Sequence, residues 1–145
     1  MRTVDIRRTI PAPIHDVFDW LTDATNYARV PVVHRVTLVR PGDLNGHGVG
    51  AVRRVQTPLL SLTEHIVDYR PPVLMGYRIT ESWPLLHHEQ GYIAFREAPG
   101  GTQVRWYTRY EAAAGWALTL ALQPVIYAGF DIVLRTAARE LRTCG

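Results

Sequence analysis

Six successive segments rich in β-branched and aromatic residues constrain the fold of this chain more than any other feature. Short connections that contain proline or glycine separate these segments, and such connections end strands and form turns. Because connections this short join antiparallel neighbours, the pattern predicts an antiparallel sheet. The six segments are 32–40, 48–57, 60–69, 73–83, 86–97 and 102–111.

Further elements precede and follow the six segments. Residues 2–10 alternate between apolar and polar side chains, which predicts a first strand. Pro11 and Pro13 end it, and apolar residues at 14, 17, 18 and 21 then predict a helix. A second short helix is predicted between Asp23 and Pro31. About the last 28 residues are predicted to form a long helix, which Pro124 either kinks or begins.

This order of elements predicts an α+β fold. The seven strands would form a curved antiparallel sheet, with two short helices inserted after the first strand. The long C-terminal helix would cover the apolar face of this sheet. A twisted sheet and a helix rarely meet along their whole length, so a cavity is expected between them. The length of the chain, without a repeat or a linker, predicts one domain over residues 1–145.

Charge and cysteine content argue against several classes of function. All 16 basic residues are arginines, and they are scattered rather than clustered, so no nucleic-acid partner is expected. We interpret this bias as a coding preference rather than as anion recognition. The single cysteine, Cys144, allows neither an intramolecular disulfide nor a zinc site with several thiolates. The histidines lack ligand spacing and no phosphate-binding loop is found, so neither a metal nor a cofactor is expected.

Two sequence features bear on location. The first residues lack the apolar core of a signal peptide, so a cytoplasmic location is expected. Residues 112–130 form a 19-residue stretch without a charge, which is near the length of a membrane span. Because this stretch contains Gly115, Gln123, Pro124 and Gly129, a buried helix preceded by a loop explains it better. No stable membrane insertion is therefore expected.

The alternation of side chains along each strand assigns polar residues to the inner face of the sheet. Counting in steps of two from Ile93 places Glu89 and His87 inward. In the segment 48–57, Arg54 shares a side with Val52 and is placed inward, although the alternative with Arg53 inward is almost as good. Inward carboxylates must line a wet cavity, pair with arginine or lie at a rim, because desolvating a charge is costly. The candidate ligand-binding residues are Arg54, Glu64, Tyr77, Glu81, Trp83, His87, Glu89, Trp106, Tyr110 and Tyr127.

Motifs along almost the whole chain resemble the START-like (SRPBCC) superfamily with the helix-grip fold, and within it the polyketide cyclase/dehydrase branch. The motifs are IPAP at 10–13, VFDWLTD at 17–23, Tyr27, GVG at 48–50, TEHI at 63–66, YRPP at 69–72, GYRI at 76–79 and GGTQVRW at 100–106. The resemblance implies this fold and a small apolar ligand, and it leaves the reaction open because one fold serves many functions.

The predicted inner face allows two interpretations. In the first, His87 or Glu89 is a general acid or base that enolises a poly-β-keto ligand, while Arg54 holds an oxyanion. In the second, which we favour, a buried Glu–Arg pair orders the sheet, or a β-bulge shifts the faces by one residue.

The leading hypothesis for function is that the chain binds a polyketide-, lipid- or quinone-like ligand in an internal cavity, as a binding protein or a cyclase-like enzyme. The alternatives are a non-catalytic carrier or sensor and, less favoured, a regulatory protein that uses the outer sheet face. A homodimer is left open.

Overall fold

The computed structural model describes residues 1–44 and 46–144, and the side chains of 143 and of Cys144 lie outside the described part. The elements in chain order are β1 (Arg2–Ile10), α1 (Ile14–Thr22), a 3₁₀ helix (Ala24–Arg29), β2 (Arg35–Arg40), β3 (Val52–Gln56), β4 (Ser61–Arg70), β5 (Leu74–Trp83), β6 (Leu86–Ala98), β7 (Gly101–Ala112) and α2 (Trp116–Cys144).

The strands in the described part of the chain form one seven-stranded sheet in the order β1-β7-β6-β5-β4-β3-β2. From β2 to β7 each strand pairs antiparallel with its sequence neighbour, as their short connections require. The first strand instead pairs with the last, so that Ile6 lies opposite Trp106. α1 and the 3₁₀ helix carry the chain from β1 at one edge to β2 at the other. The predicted α+β helix-grip fold is confirmed.

The two short helices close one end of the sheet. Val17, Phe18 and Leu21 of α1 are fully buried, at the spacing that the sequence pattern indicated. The Phe18 ring packs edge-on against Phe95 of β6, with 5.1 Å between centroids. Asp23 then caps the 3₁₀ helix, since its carboxylate accepts a hydrogen bond from the Thr25 backbone N–H. The predicted second helix is thus present as a 3₁₀ helix.

α2 lies across the inner face of the sheet. Its C-terminal half buries Leu134 and Ala137 completely in the core. Its N-terminal half is tied to the sheet by polar contacts, because Gln123 Nε2 donates to the Thr3 carbonyl at 2.9 Å and the Tyr110 hydroxyl donates to the Thr119 carbonyl at 2.6 Å. Pro124 lies inside the helix, so it does not mark the start of α2.

The outer side of α2 is apolar and exposed. Trp116, Leu120 and Tyr127 are 76%, 37% and 49% exposed. By length and composition α2 is long and apolar enough to cross a membrane, and 28% of its most apolar 18-residue window is buried. The expectation of a buried helix is therefore right for one side of α2 and wrong for the other.

Candidate functional site

A cavity of about 490 Å³ lies between the inner face of the sheet and α2. Its size is within the roughly 300–1,000 Å³ of small-molecule sites. Its lining includes residues of the main apolar core and of a smaller apolar cluster that contains Tyr110, and Phe130 packs against both clusters. The lining residues are Tyr27, Val32, Val33, Val55, Thr57, Pro58, Leu59, Leu60, Leu62, Glu64, Trp106, Pro124, Val125, Ile126, Ala128, Gly129, Phe130, Ile132 and Val133.

Glu64 is the only charged side chain among the described residues that line the cavity. It is 8% exposed, and it lies directly opposite Arg53 across the β3–β4 ladder. Arg53 Nη2 donates to Glu64 Oε2 at 3.3 Å. The cavity therefore has one anionic oxygen pair in an otherwise apolar lining, with its counter-charge behind it.

Arg53 is held in the protein interior by three partners. It is 2% exposed, and besides Glu64 its Nη1 donates to the Thr22 carbonyl at the end of α1, at 2.9 Å. Its guanidinium carbon lies 5.8 Å from the centroid of the Tyr27 ring, a cation–π distance. Burial is the largest single influence and opposes the charged form, but the Glu64 carboxylate, together with Tyr27 and Tyr77, more than offsets it and holds the pKa of Arg53 above its usual value. Arg53 is thus a permanent cation that joins β3, β4 and α1.

Arg54 points the other way. It is exposed on the outer face of the sheet, where its Nε donates to Thr63 Oγ1 at 3.4 Å. The prediction that Arg54 faces the cavity was wrong, and the alternative with Arg53 inward is the one found. Only one of two adjacent residues in a strand can face inward, and Val55 and Ala51 share the inner face with Arg53.

A second buried polar group lies beside the cavity. Trp106 lines the cavity, and its Nε1 donates to the Tyr77 hydroxyl at 3.0 Å. The Tyr77 ring stacks on the His88 imidazole at 5.6 Å between centroids. A Cβ at Gly91 would come within 2.5 Å of the Tyr77 ring, so the close approach requires glycine there. Burial raises the pKa of Tyr77 and of Tyr27 well above the ordinary value, so both phenols stay protonated.

His88 is held in one neutral form by its hydrogen bonds. The Ile79 backbone N–H donates to Nδ1 at 3.1 Å, so the ring proton is on Nε2, which lies 2.8 Å from Thr108 Oγ1 and donates to it. Burial, with a smaller contribution from Arg78, lowers the pKa of His88 to about 4. His88 is therefore uncharged at neutral pH and positions the Tyr77 ring and Thr108.

His87 and Glu89 do not face the cavity. Both are exposed, and Glu89 pairs with Arg109 on the outer face at 3.3 Å. The reason is a β-bulge at Glu89. His88 pairs with Tyr110 and Gln90 pairs with the adjacent residue Arg109, so Glu89 has no partner of its own in β7. The extra residue reverses the alternation that was counted back from Ile93. The predicted inward positions of His87 and Glu89 were wrong, and the adjacent His88 faces inward instead.

Glu81 and Trp83 are displaced by a second bulge. Glu64 pairs with Ile79 and Thr63 pairs with Glu81, so Thr80 is the extra residue in β5. Glu81 is exposed and Trp83 is 69% exposed. Their predicted inward positions were wrong for the same reason as those in β6.

The remaining candidates lie at different distances from the cavity. Glu64 and Trp106 line it, and Tyr77 contacts Trp106 from behind. Tyr110 is on the inner face but is buried in the smaller apolar cluster and is not among the residues that line the cavity. Tyr127 is on the exposed side of α2, so its predicted place at the cavity was wrong.

Tyr27 and His88 were missed as site residues. Tyr27 entered only as part of a motif, and the structure places its ring on the cavity wall. Its hydroxyl donates to the Leu21 carbonyl, which holds the ring in place. For His88 a signal was present in Gly91, because glycine inside a strand often marks a bulge. Among the residues that the structure describes, no group of three or more His, Cys, Asp or Glu side chains could hold a metal ion.

Fold and cavity together define a helix-grip protein with an apolar pocket between the sheet and α2. Over residues 1–142 the sequence matches the family described as polyketide cyclase/dehydrase and lipid transport, and the chain belongs to this family. The resemblance that the motifs indicated is thereby confirmed. No curated protein sequence matches the chain.

Similar solved structures support the fold. The Zhui aromatase/cyclase from Streptomyces sp. R1128 is 21% identical, with a TM-score of 0.77 over 99% of this chain and 98% of that one. TTHA0849 from Thermus thermophilus is 16% identical, with a TM-score of 0.80 over 99% of each chain. XoxI from Bacillus cereus is 11% identical, with a TM-score of 0.75 over 97% of this chain and 96% of that one. The TM-scores establish a common fold, and identities this low leave function to the site.

Proposed function

We propose that the chain binds a small apolar molecule, of polyketide, lipid or quinone type, in the cavity between the sheet and α2. The observation that carries the proposal is a cavity of about 490 Å³ whose lining residues are apolar or aromatic except for Glu64 and Thr57. Burying an apolar ligand there removes its surface from water, which is the main driving force for such binding. The family and the aromatase/cyclase of the same fold support the ligand class.

Filling the cavity tests this proposal. Gly129 of α2 lines the cavity, and a Cβ built there would meet no atom within 4 Å. Gly129→Leu is expected to occupy the ligand's space and to weaken binding of the neutral dye Nile red by at least about tenfold. The fold should remain intact, because replacing a helical glycine stabilises a helix by up to about 1 kcal/mol. Dye fluorescence titration measures the binding.

The matched control is Ala121→Leu, which enlarges an exposed residue of the same helix. It should leave Nile red affinity unchanged. If Gly129→Leu binds the dye as well as the wild-type protein does, or if only Ala121→Leu alters binding, the dye occupies the exposed side of α2 and the proposed cavity function is wrong.

Glu64 favours a second candidate function, a cyclase- or dehydrase-like enzyme. A carboxylate in an apolar cavity can act as a general base toward a proton next to a carbonyl group. His87 and Glu89 lend no support to this candidate, because both are on the outside of the sheet. In their place Glu64 would remove the proton, and Trp106 and Phe130 would hold the ligand.

Proton exchange distinguishes the enzyme from a carrier. We expect an enzyme of this kind to accelerate deuterium exchange at the α-carbon of 1-tetralone at least about 100-fold over buffer, within the range for a positioned base. Glu64→Gln should abolish the acceleration while Nile red binding persists. Exchange at the buffer rate with the wild-type protein, despite binding of the ketone, would favour a non-catalytic carrier or sensor.

A further inference from the structure

We infer that the cavity selects a neutral ligand whose polar end is a hydroxyl donor, and that it rejects carboxylate ligands. The inference rests on the proposed cavity function and concerns which apolar molecules the site accepts. It follows from the position of Glu64 in front of Arg53.

The polar groups of the lining differ in what they offer a ligand. The Tyr27 hydroxyl already donates to the Leu21 carbonyl, and the Trp106 Nε1–H already donates to Tyr77. Neither donor is free for a ligand, and the Thr57 hydroxyl already donates to the Leu60 carbonyl. Glu64 is the remaining strong polar group, and an ionised carboxylate only accepts hydrogen bonds. Within the described lining the cavity therefore offers an acceptor and lacks a free charged donor.

Arg53 does not change this character. Glu64 lines the cavity and Arg53 does not, so a ligand meets the carboxylate before the guanidinium. One carboxylate oxygen, Oε2, accepts from Arg53, and among the described residues no hydrogen bond is found to Oε1. The guanidinium is 2% exposed and also bonds the Thr22 carbonyl. The pair is a fixed dipole with its negative end toward the ligand.

The chemistry of that end decides selectivity. A ligand hydroxyl can donate to the carboxylate, and hydrogen bonds to charged groups are stronger than those between neutral groups. An ether of the same shape fills the cavity but leaves the carboxylate without a donor, which is costly in an apolar site. A carboxylate ligand brings a second negative charge beside Glu64, and like charges in a site of low dielectric constant repel strongly.

The aromatic wall suggests the probes. Trp106 and Phe130 stack at 4.1 Å between centroids, and both line the cavity. A flat bicyclic ring suits this wall, so 2-naphthol, 2-methoxynaphthalene and 2-naphthoate differ mainly in the group that meets Glu64. Displacement of Nile red at pH 7 ranks them. We expect naphthol to bind about tenfold more tightly than the methyl ether, and at least about 30-fold more tightly than naphthoate.

The variant Glu64→Gln keeps the shape of the side chain and removes its charge. It should raise the affinity for naphthoate at least about tenfold and reduce the differences in affinity between the three probes. Glu81→Gln is the control, because this exposed carboxylate lies on the other face of the sheet. It should leave the ranking unchanged.

The outcomes separate this inference from the proposed function. If all three probes displace the dye equally from the wild-type protein, or if naphthoate binds most tightly, the inferred preference for a neutral hydroxyl donor is wrong. The proposal that the cavity binds an apolar ligand is then unaffected. If Gly129→Leu leaves dye binding unaffected, the cavity function itself fails and the selectivity fails with it. The ranking in the wild-type protein tests the inference even where Glu64→Gln does not fold.

Discussion

Replacing Arg53 by methionine is expected to destabilise the fold by about 3–5 kcal/mol, the usual cost of removing one partner of a buried ion pair. The change leaves Glu64 as a carboxylate without its counter-charge in an apolar site. It also leaves the Thr22 carbonyl at the end of α1 without its donor. Urea unfolding followed by circular dichroism measures the free energy of unfolding.

The adjacent Arg54 provides the control for this prediction. It has the same side chain in the same strand but lies on the exposed face. Arg54→Met should change stability by no more than about 0.5 kcal/mol. The double variant Arg53→Met with Glu64→Leu removes both charges and should recover most of the loss. If Arg53→Met and Arg54→Met both lower the free energy of unfolding by only about 0.5 kcal/mol, the Arg53–Glu64 pair does not stabilise the fold.

His88 is expected to make the folded state sensitive to mild acid. Its pKa is about 4 in the folded protein, whereas an imidazole in the unfolded chain titrates near its ordinary value of 6.5. Between these values the unfolded chain binds more protons, so stability is complete above pH 6.5 and falls as the pH decreases toward 4. We expect a loss of about 2 kcal/mol from this group, less than the full shift would give, because the imidazole is only partly buried and solvent screens its charge.

The adjacent histidine again provides the control. His88→Gln should flatten the pH dependence of the urea midpoint between pH 6.5 and 4, because it removes the titrating ring. His87→Gln should leave the profile as in the wild-type protein, since His87 is exposed. A His88→Gln profile that falls as steeply as that of the wild-type protein would mean that other groups, such as the carboxylates, carry the acid sensitivity.

The fold could be predicted because its signals are local. Proline and glycine between the apolar segments mark the turns, and apolar residues at helical spacing mark α1. The 3₁₀ helix and the exposed side of α2 were less predictable. The lack of charge in residues 112–130 does not indicate which side of the helix packs against the sheet and which side is exposed.

The site could be predicted only in part. Glu64 and Trp106 were placed correctly at the cavity, because they lie in strand segments where alternation continues unbroken up to the inner-face residues Ile66 and Val104. Glu81 lies after the bulge at Thr80, and Glu89 is itself the extra residue of the next bulge. One extra residue reverses the predicted face of every side chain that is counted past it.

The sequence alone determined the order of the strands and helices, the helix-grip fold and the presence of a carboxylate in an apolar inner face. The tertiary structure decided which member of each adjacent pair faces inward, Arg53 rather than Arg54 and His88 rather than His87. Two adjacent residues in a strand lie in nearly the same sequence context, but their side chains point to opposite faces of the sheet. Cross-strand pairing and packing against α1 and α2 choose between them, and these contacts join residues far apart in the chain.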